Sequence, residues 1–375
     1  MAELIRFTEH LVSADFRYAF GLSAADVTGT GSQDLIVTDA GRGIYWFEND
    51  GAGNFTRHVI LYRTNELLER QAVADINGDG KPEVVCVDNL NGCLLWFGFD
   101  GDPRNPRSWR HHYITEGGLP GAYDLAVADL DGNGNLDVVG SGWRISNQFA
   151  WFQNRDGAWL EHTIDDDTPE SRGVCAADIT GNGRVDIVGA VAGTGEVVWY
   201  ENPGDPRAPW KKRLIDTVPR PIHGHAADMD GDGAVDLVMA VGFSHPRDAD
   251  QTGTHQIVWY DKGGHGRGDE GPWQKHVICE HFPHAFEAVS ADLDGDGELE
   301  VVATSWGEAG GAALFKHRGD PRGPWDMQLL KDGWPHANMI IVADLDGDGR
   351  LDVAACAERG SNEVRWWKNE GPAGA

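Results

Sequence analysis

The chain is expected to fold as an all-β, seven-bladed β-propeller of four-stranded blades, closed by an N-terminal strand that completes the last blade. Three observations lead there. An acidic, glycine-containing loop recurs seven times at about 50-residue spacing, each recurrence carries up to four short strand-like runs, and the last repeat runs one strand short while the start offers a spare one.

The loop is clearest in Asp292-Leu-Asp-Gly-Asp-Gly-Glu-Leu-Glu300, and its copies begin at Asp26, Asp75, Asp129, Asp178, Asp228 and Asp344. Oxygen-bearing side chains stand at positions one, three, five and nine, and glycines at four and six permit the tight turn that gathers them. Such a cage suits a hard cation, calcium above all. The acid closing it comes at position nine and no helical pattern flanks it, so it is not an EF-hand. The candidate ligands are Asp75, Asn77, Asp79 and Glu83; Asp129, Asp131, Asn133 and Asp137; Asp228, Asp230, Asp232 and Asp236; Asp292, Asp294, Asp296 and Glu300; Asp344, Asp346, Asp348 and Asp352; and, in an eroded copy, Asp178 and Asp186. That copy and the one from Asp26 to Asp34 have fewer carboxylates and are expected to bind weakly or stay empty. A single copy could equally be a solvated turn; seven in phase argue otherwise.

Within each repeat a short apolar run enters the loop (Leu125-Ala-Val-Ala) and a second leaves it (Leu136-Asp-Val-Val). A third is aromatic (Ile44-Tyr-Trp-Phe, Phe149-Ala-Trp-Phe, Ile257-Val-Trp-Tyr), and a fourth alternates (Phe55-Thr-Arg-His-Val-Ile, Trp159-Leu-Glu-His-Thr-Ile). The seventh copy ends after its third strand, and Arg6-Phe-Thr-Glu-His-Leu-Val12 matches the missing fourth. A ring closed this way leaves only short protected edges. Gly-Asp-Pro-Arg before a tryptophan, at 101–104, 204–207 and 319–322, reads as a hairpin turn and not a site.

All 375 residues are expected in this one propeller domain. The net charge of −29 counts against nucleic acid, which needs a basic face, and 22 of the 60 acidic residues stand at loop ligand positions. No run approaches the ~18 apolar residues of a membrane span, and Met-Ala-Glu-Leu-Ile-Arg lacks a signal-peptide core. Five cysteines without a Cys-x-x-Cys pair read as buried free thiols. The expectation is a cytoplasmic monomer, or a secreted one if the start is processed or engineered.

The loop and its period resemble the FG-GAP or VCBS repeat family, whose motif is Asp-x-Asp-Gly-Asp-Gly-x-x-Asp. That resemblance covers nearly the whole chain and implies the propeller; its members include integrin-type propellers, fungal lectins and carbohydrate lyases, so function needs a site of its own.

In such propellers the first strand lines the channel, with the calcium loop at one face. The opposite mouth should be built by residues entering the first strands and by the second-to-third loops. Departures from the repeat there include His223, His284 and His336, taken as equivalent positions whose imidazoles converge. They could act as acid and base, or jointly hold a transition metal. Tyr123, Arg70 and Arg172 join them as candidates for proton transfer and carboxylate binding. Arg144, Trp143, Trp306, Trp334, His225, His245, Glu287, Asn338 and Arg359 are candidate substrate contacts. The bland alternatives are loop hydrogen bonds for the histidines and rim salt bridges with Glu69, Asp124 or Glu287 for the arginines. Ser244, His245 and Asp248 lack a nucleophile elbow, so a hydrolase triad is discounted. His10, His58, His112, His162 and His276 share one fourth-strand position and read as packing.

The leading expectation is a carbohydrate-active carbon–oxygen lyase, eliminating from a uronate-type or oxidised sugar, or another small anionic sugar-like substrate, at the channel mouth. The layout is similar to propeller lyases acting on rhamnosyl-glucuronate ends and to the propeller part of aldos-2-ulose dehydratase. The alternatives are a lectin-like, non-enzymatic binder, disfavoured because mouth residues differ from blade to blade, and a metalloenzyme using His223, His284 and His336.

Overall fold

The structure, a computed structural model, describes residues 5–62, 65–243, 254–263 and 272–372. Among these, 28 strands form seven four-stranded antiparallel sheets. In six, strand order follows the chain. In the seventh, Ile5–Ser13 pairs with Glu363–Pro372 and supplies the outer strand its repeat lacks. The ring is therefore closed by hydrogen bonds between the two ends, as the repeat count requires.

Each blade begins with a seven-residue inner strand: Ala19–Ala25, Leu68–Ala74, Ala122–Ala128, Ser171–Ala177, Pro221–Ala227, Ala285–Ala291 and Ala337–Ala343 for blades 1 to 7. Successive inner strands pack on one another, and the last returns to the first. Every one carries a register shift near its start, as between Ala122 and Asp124 or Pro221 and Gly224. Such a bulge releases residues from the ladder and re-aims their side chains. Here the second residues Phe20, Glu69, Tyr123, Arg172 and Phe286 come to line one cavity, and the third residue Arg70 reaches Asp124 and Glu287 of other blades.

Packing between blades rests on the aromatic third strands. Trp46 of blade 1 is fully buried among residues that include Val84 and Leu95 of blade 2. Its outer face stacks on His58 at 4.5 Å, and Trp96–His112, Trp151–His162, Trp259–His276 and Trp366–His10 repeat the pair. These histidines are thus packing groups. The Gly-Asp-Pro-Arg segments are turns: Trp109, Trp210 and Trp325 each donate their indole N–H to the proline carbonyl just upstream.

At the far end of the inner strands stand the acidic loops. The acid at position nine latches each loop to its blade. Asp137, for example, accepts the Leu130 amide at 3.0 Å on one oxygen and the Asn154 amide at 2.7 Å on the other. Asp34 and Asp186 do the same in the eroded loops, which explains why those turns persist with fewer carboxylates.

Candidate active site

Counting along the inner strands places the mouth residues in two rings. Second positions are Phe20, Glu69, Tyr123, Arg172, Ile222, Phe286 and Asn338; third positions are Gly21, Arg70, Asp124, Gly173, His223, Glu287 and Met339.

The third ring holds a buried ionic plug. Arg70 donates Nε to Asp124 at 3.0 Å and Nη1 to Glu287 at 2.5 Å, so blade 2 reaches both blade 3 and blade 6. Burial works against the Arg70 charge, but the two carboxylates outweigh it and raise its pKa. Asp124, for its part, is pushed up by burial yet held well below the usual carboxylate range by Arg70 and His223. His223 Nδ1 lies 3.5 Å from Asp124 Oδ2, which also takes the Val174 amide. Room for His223 comes from Gly173, where a Cβ would strike the Ile222 carbonyl oxygen. Arg70 and Glu287, expected to meet substrate, instead meet each other.

Above the plug opens a cavity of about 220 Å³ lined by Tyr18, Phe20, Glu69, Tyr123, Trp143, Arg144, Arg172, Phe243, Phe286, Trp306, Glu358 and Arg359. Its distinctive group is Tyr123. The hydroxyl lies 3.1 Å from His223 Nε2 and accepts Arg172 Nη1 at 3.1 Å. Burial raises the Tyr123 pKa against the pull of Arg172 and Arg70, and burial with Arg70 lowers that of His223. The pair therefore rests as neutral phenol and neutral imidazole. Arg172 stacks on Trp143 at 4.2 Å, and its Nε is buried without a hydrogen-bond partner among the described residues.

On the other side, Tyr18 donates to Glu69 at 3.2 Å and accepts Arg359 Nη2 at 2.9 Å. Trp306 donates its indole N–H to Glu358, whose second oxygen lies 3.2 Å from Arg359 Nε. Burial pushes Glu69 up to about 7 and Glu358 up to about 8. Neither carboxyl was singled out as a site residue from sequence.

The histidine trio requires correction. Only His223 is a strand residue facing the axis; His284 and His336 precede their strands in the left-handed region, at φ 55° and 57°. There His284 accepts the Trp306 amide on its carbonyl and packs on His255, while His336 packs on Trp306. They shape the rim. Among the described residues, the groups able to gather around an ion are Asp/Glu-only: Asp75, Asp79 and Glu83; Asp129, Asp131 and Asp137; Asp228, Asp230 and Asp236; Asp292, Asp294 and Glu300; and Asp344, Asp346 and Asp348. An oxygen-only donor set fits a hard cation and not the transition metal expected at imidazoles, so no histidine metal centre forms among the described residues. The loops from Asp26 and Asp178 gather no such group.

Three further expected contacts fall elsewhere. Trp334 is 2% exposed, donates to Glu363 and packs on Trp367. Asn338 is spent on the Ala19 carbonyl and the Met339 amide. His225 is exposed two residues beyond His223 and does not line the cavity. His245, with Ser244 and Asp248, lies outside the described residues. No helix among those described is long and apolar enough to cross a membrane.

Comparison with known proteins returns the same repeat. The FG-GAP-like repeat matches at residues 26–86, 75–140, 129–189, 178–239 and 292–355. Aldos-2-ulose dehydratase of Phanerodontia chrysosporium is 25% identical over 297 residues, 66% of this chain and 31% of its own length. The chain thus spans about a third of that curated relative. Among solved structures, BBS1N in complex with ARL6DN aligns with a TM-score of 0.62 at 9% identity, covering 99% of this chain and 97% of that one. The PQQ domain of pyranose dehydrogenase from Coprinopsis cinerea aligns with a TM-score of 0.50 at 13% identity, covering 98% of each. These two likenesses speak to fold alone.

Proposed function

This chain belongs to the FG-GAP-like repeat family, and we propose that it uses the propeller as a carbohydrate-active carbon–oxygen lyase, eliminating from a uronate-type or oxidised sugar. The observation that carries the reading is the Tyr123 hydroxyl, shared at 3.1 Å between His223 Nε2 and Arg172 Nη1. Elimination removes a proton beside a carbonyl or carboxylate and expels an oxygen from the next carbon. It needs a base at the proton and positive charge at the oxygen that becomes enolate-like.

Tyr123 and Arg172 fit those two needs side by side. As the phenol oxygen takes the substrate proton, its own proton passes to His223 Nε2, and the carboxylate of Asp124 stabilises the imidazolium. Arg172, with an unpartnered Nε, steadies the developing negative oxygen. Trp143 and Trp306 offer ring faces or edges to a sugar. The similarity to a dehydratase of an oxidised sugar supports the same class of substrate. Support for calcium at the acidic loops is their oxygen-only donor set.

The test is to mix the protein with a panel of uronate-containing oligosaccharides and oxidised monosaccharides and follow the absorbance of an unsaturated product. Growth of that absorbance supports the lyase. Binding by calorimetry without any absorbance change would replace it with a carbohydrate-binding propeller.

A further inference from the structure

We propose that Glu69 is the general acid of this cavity, the group that protonates the oxygen leaving in the elimination; the assignment rests on the lyase reading. Glu69, Tyr123 and Arg172 are the second residues of three consecutive inner strands. They therefore reach the cavity at one level, with the base between the acid and the cation.

Hydrogen bonding decides which oxygen of Glu69 would carry the proton. Arg359 Nη2 donates to the Tyr18 oxygen, so the single hydrogen of that hydroxyl is free to point at Glu69 Oε1. Among the described residues Oε2 makes no hydrogen bond, and the proton belongs there. The second buried carboxyl, Glu358, accepts the Trp306 indole on Oε1, and its Oε2, which has no hydrogen bond among the described residues, is buried 3.2 Å from Arg359 Nε and closed off from a leaving group. It orders the rim and is not the donor. Burial, which lifts Glu69 to about 7, keeps a proton on it up to about neutral pH.

The step balances without a redox partner. Tyr123 takes the proton next to the carbonyl, the C–H electrons become the new C=C bond, and the neighbouring C–O bond breaks. Glu69 Oε2 gives its proton to the departing oxygen, which leaves as water or alcohol. Glu69 ends as carboxylate, and the proton held by Tyr123 and His223 returns through solvent.

Two sugars of the proposed class, one losing an alkoxide and one a nitrophenolate, separate the roles. Glu69→Gln is expected to lose about 10²–10³-fold in kcat on the alkoxide substrate and less than about tenfold on the nitrophenolate, which needs no acid. Tyr123→Phe should lose on both. Retained nitrophenolate release would also show that Glu69→Gln folds. Should it not fold, the unmodified protein still reports: alkoxide release should fall as pH rises through about 7, with nitrophenolate release lacking that limb. Full alkoxide activity in Glu69→Gln, equal losses on both substrates by a variant whose circular dichroism shows it folded, or identical pH profiles of the unmodified protein on the two sugars would overturn the assignment alone. No elimination by the unmodified protein on either sugar would sink the lyase reading and this role with it.

Discussion

Arg70 Nη1 donates to Glu287 Oε2 at 2.5 Å, joining blade 2 to blade 6 through side chains 217 residues apart. With Asp124 on its other edge, this guanidinium neutralises two carboxylates that are each less than 7% exposed. The channel is therefore stoppered by charge, and the cavity sits above a fixed floor.

Removing that guanidinium strands both acids. Arg70→Ala is expected to cost about 3–5 kcal/mol of folding stability, the range for breaking a buried ion pair from one side. Urea unfolding of the two proteins reads it. A loss under about 1 kcal/mol would mean the floor contributes little to the ring.

Arg172 makes the opposite case, being stacked and hydrogen-bonded but lacking a carboxylate partner among the described residues. Arg172→Met should weaken binding of a carboxylate-bearing sugar about ten- to a hundredfold while a neutral analogue binds as before. Calorimetry with both sugars distinguishes this from general damage, which would affect the two alike.

The Trp151–His162 stack predicts acid sensitivity. Burial lowers the pKa of His162, and its shift is of the kind that favours the neutral ring in the folded state. The unfolded chain then binds more protons, so the stability this group contributes is present above about 6.5 and lost as pH falls toward the folded value. His162→Phe keeps a ring on Trp151 and removes the titration. Its unfolding free energy should decline less between pH 7 and 5 than that of the unmodified protein; parallel declines would assign the acid sensitivity elsewhere.

Chelation bears on the loops. Stripping divalent cations should lower the melting temperature, and calcium should restore it, because an oxygen cage left empty keeps its carboxylates close together. Asp292→Asn should lower the number of bound ions counted by dialysis. An unchanged melting temperature in chelator would argue that the backbone latches alone hold these turns.

Much of the fold was legible because repetition averages out local ambiguity: seven loops in phase, a missing last strand and a spare first one leave one closure. The site was harder. His284 and His336 stand eight residues before their loop aspartates, Asp292 and Asp344, whereas His223 stands five before Asp228. That difference places two of them ahead of the strand and one inside it, so they could not converge. The same count would have added Glu69 to the expected Tyr123 and Arg172, since all three stand six before their loop aspartates. Glu358 offered no such signal, since its place depends on a loop whose neighbours come from blades 6 and 1.

Trp306 and Trp334 show what even a correct count leaves out. Both break the repeat, yet Trp306 lines the cavity while Trp334 packs against Trp367 of its own blade. Only the path of each loop after its strand separates them, and composition does not encode that path.

The most direct measurement compares initial rates of unsaturated-product formation by the unmodified protein and Tyr123→Phe on one sugar that the unmodified protein turns over. Loss of the shared hydroxyl should lower kcat by about 10²–10⁴-fold, the usual span for a general base, with the affinity for that sugar changed little. Near-normal turnover in Tyr123→Phe would contradict the account, because proton removal would then belong to another group.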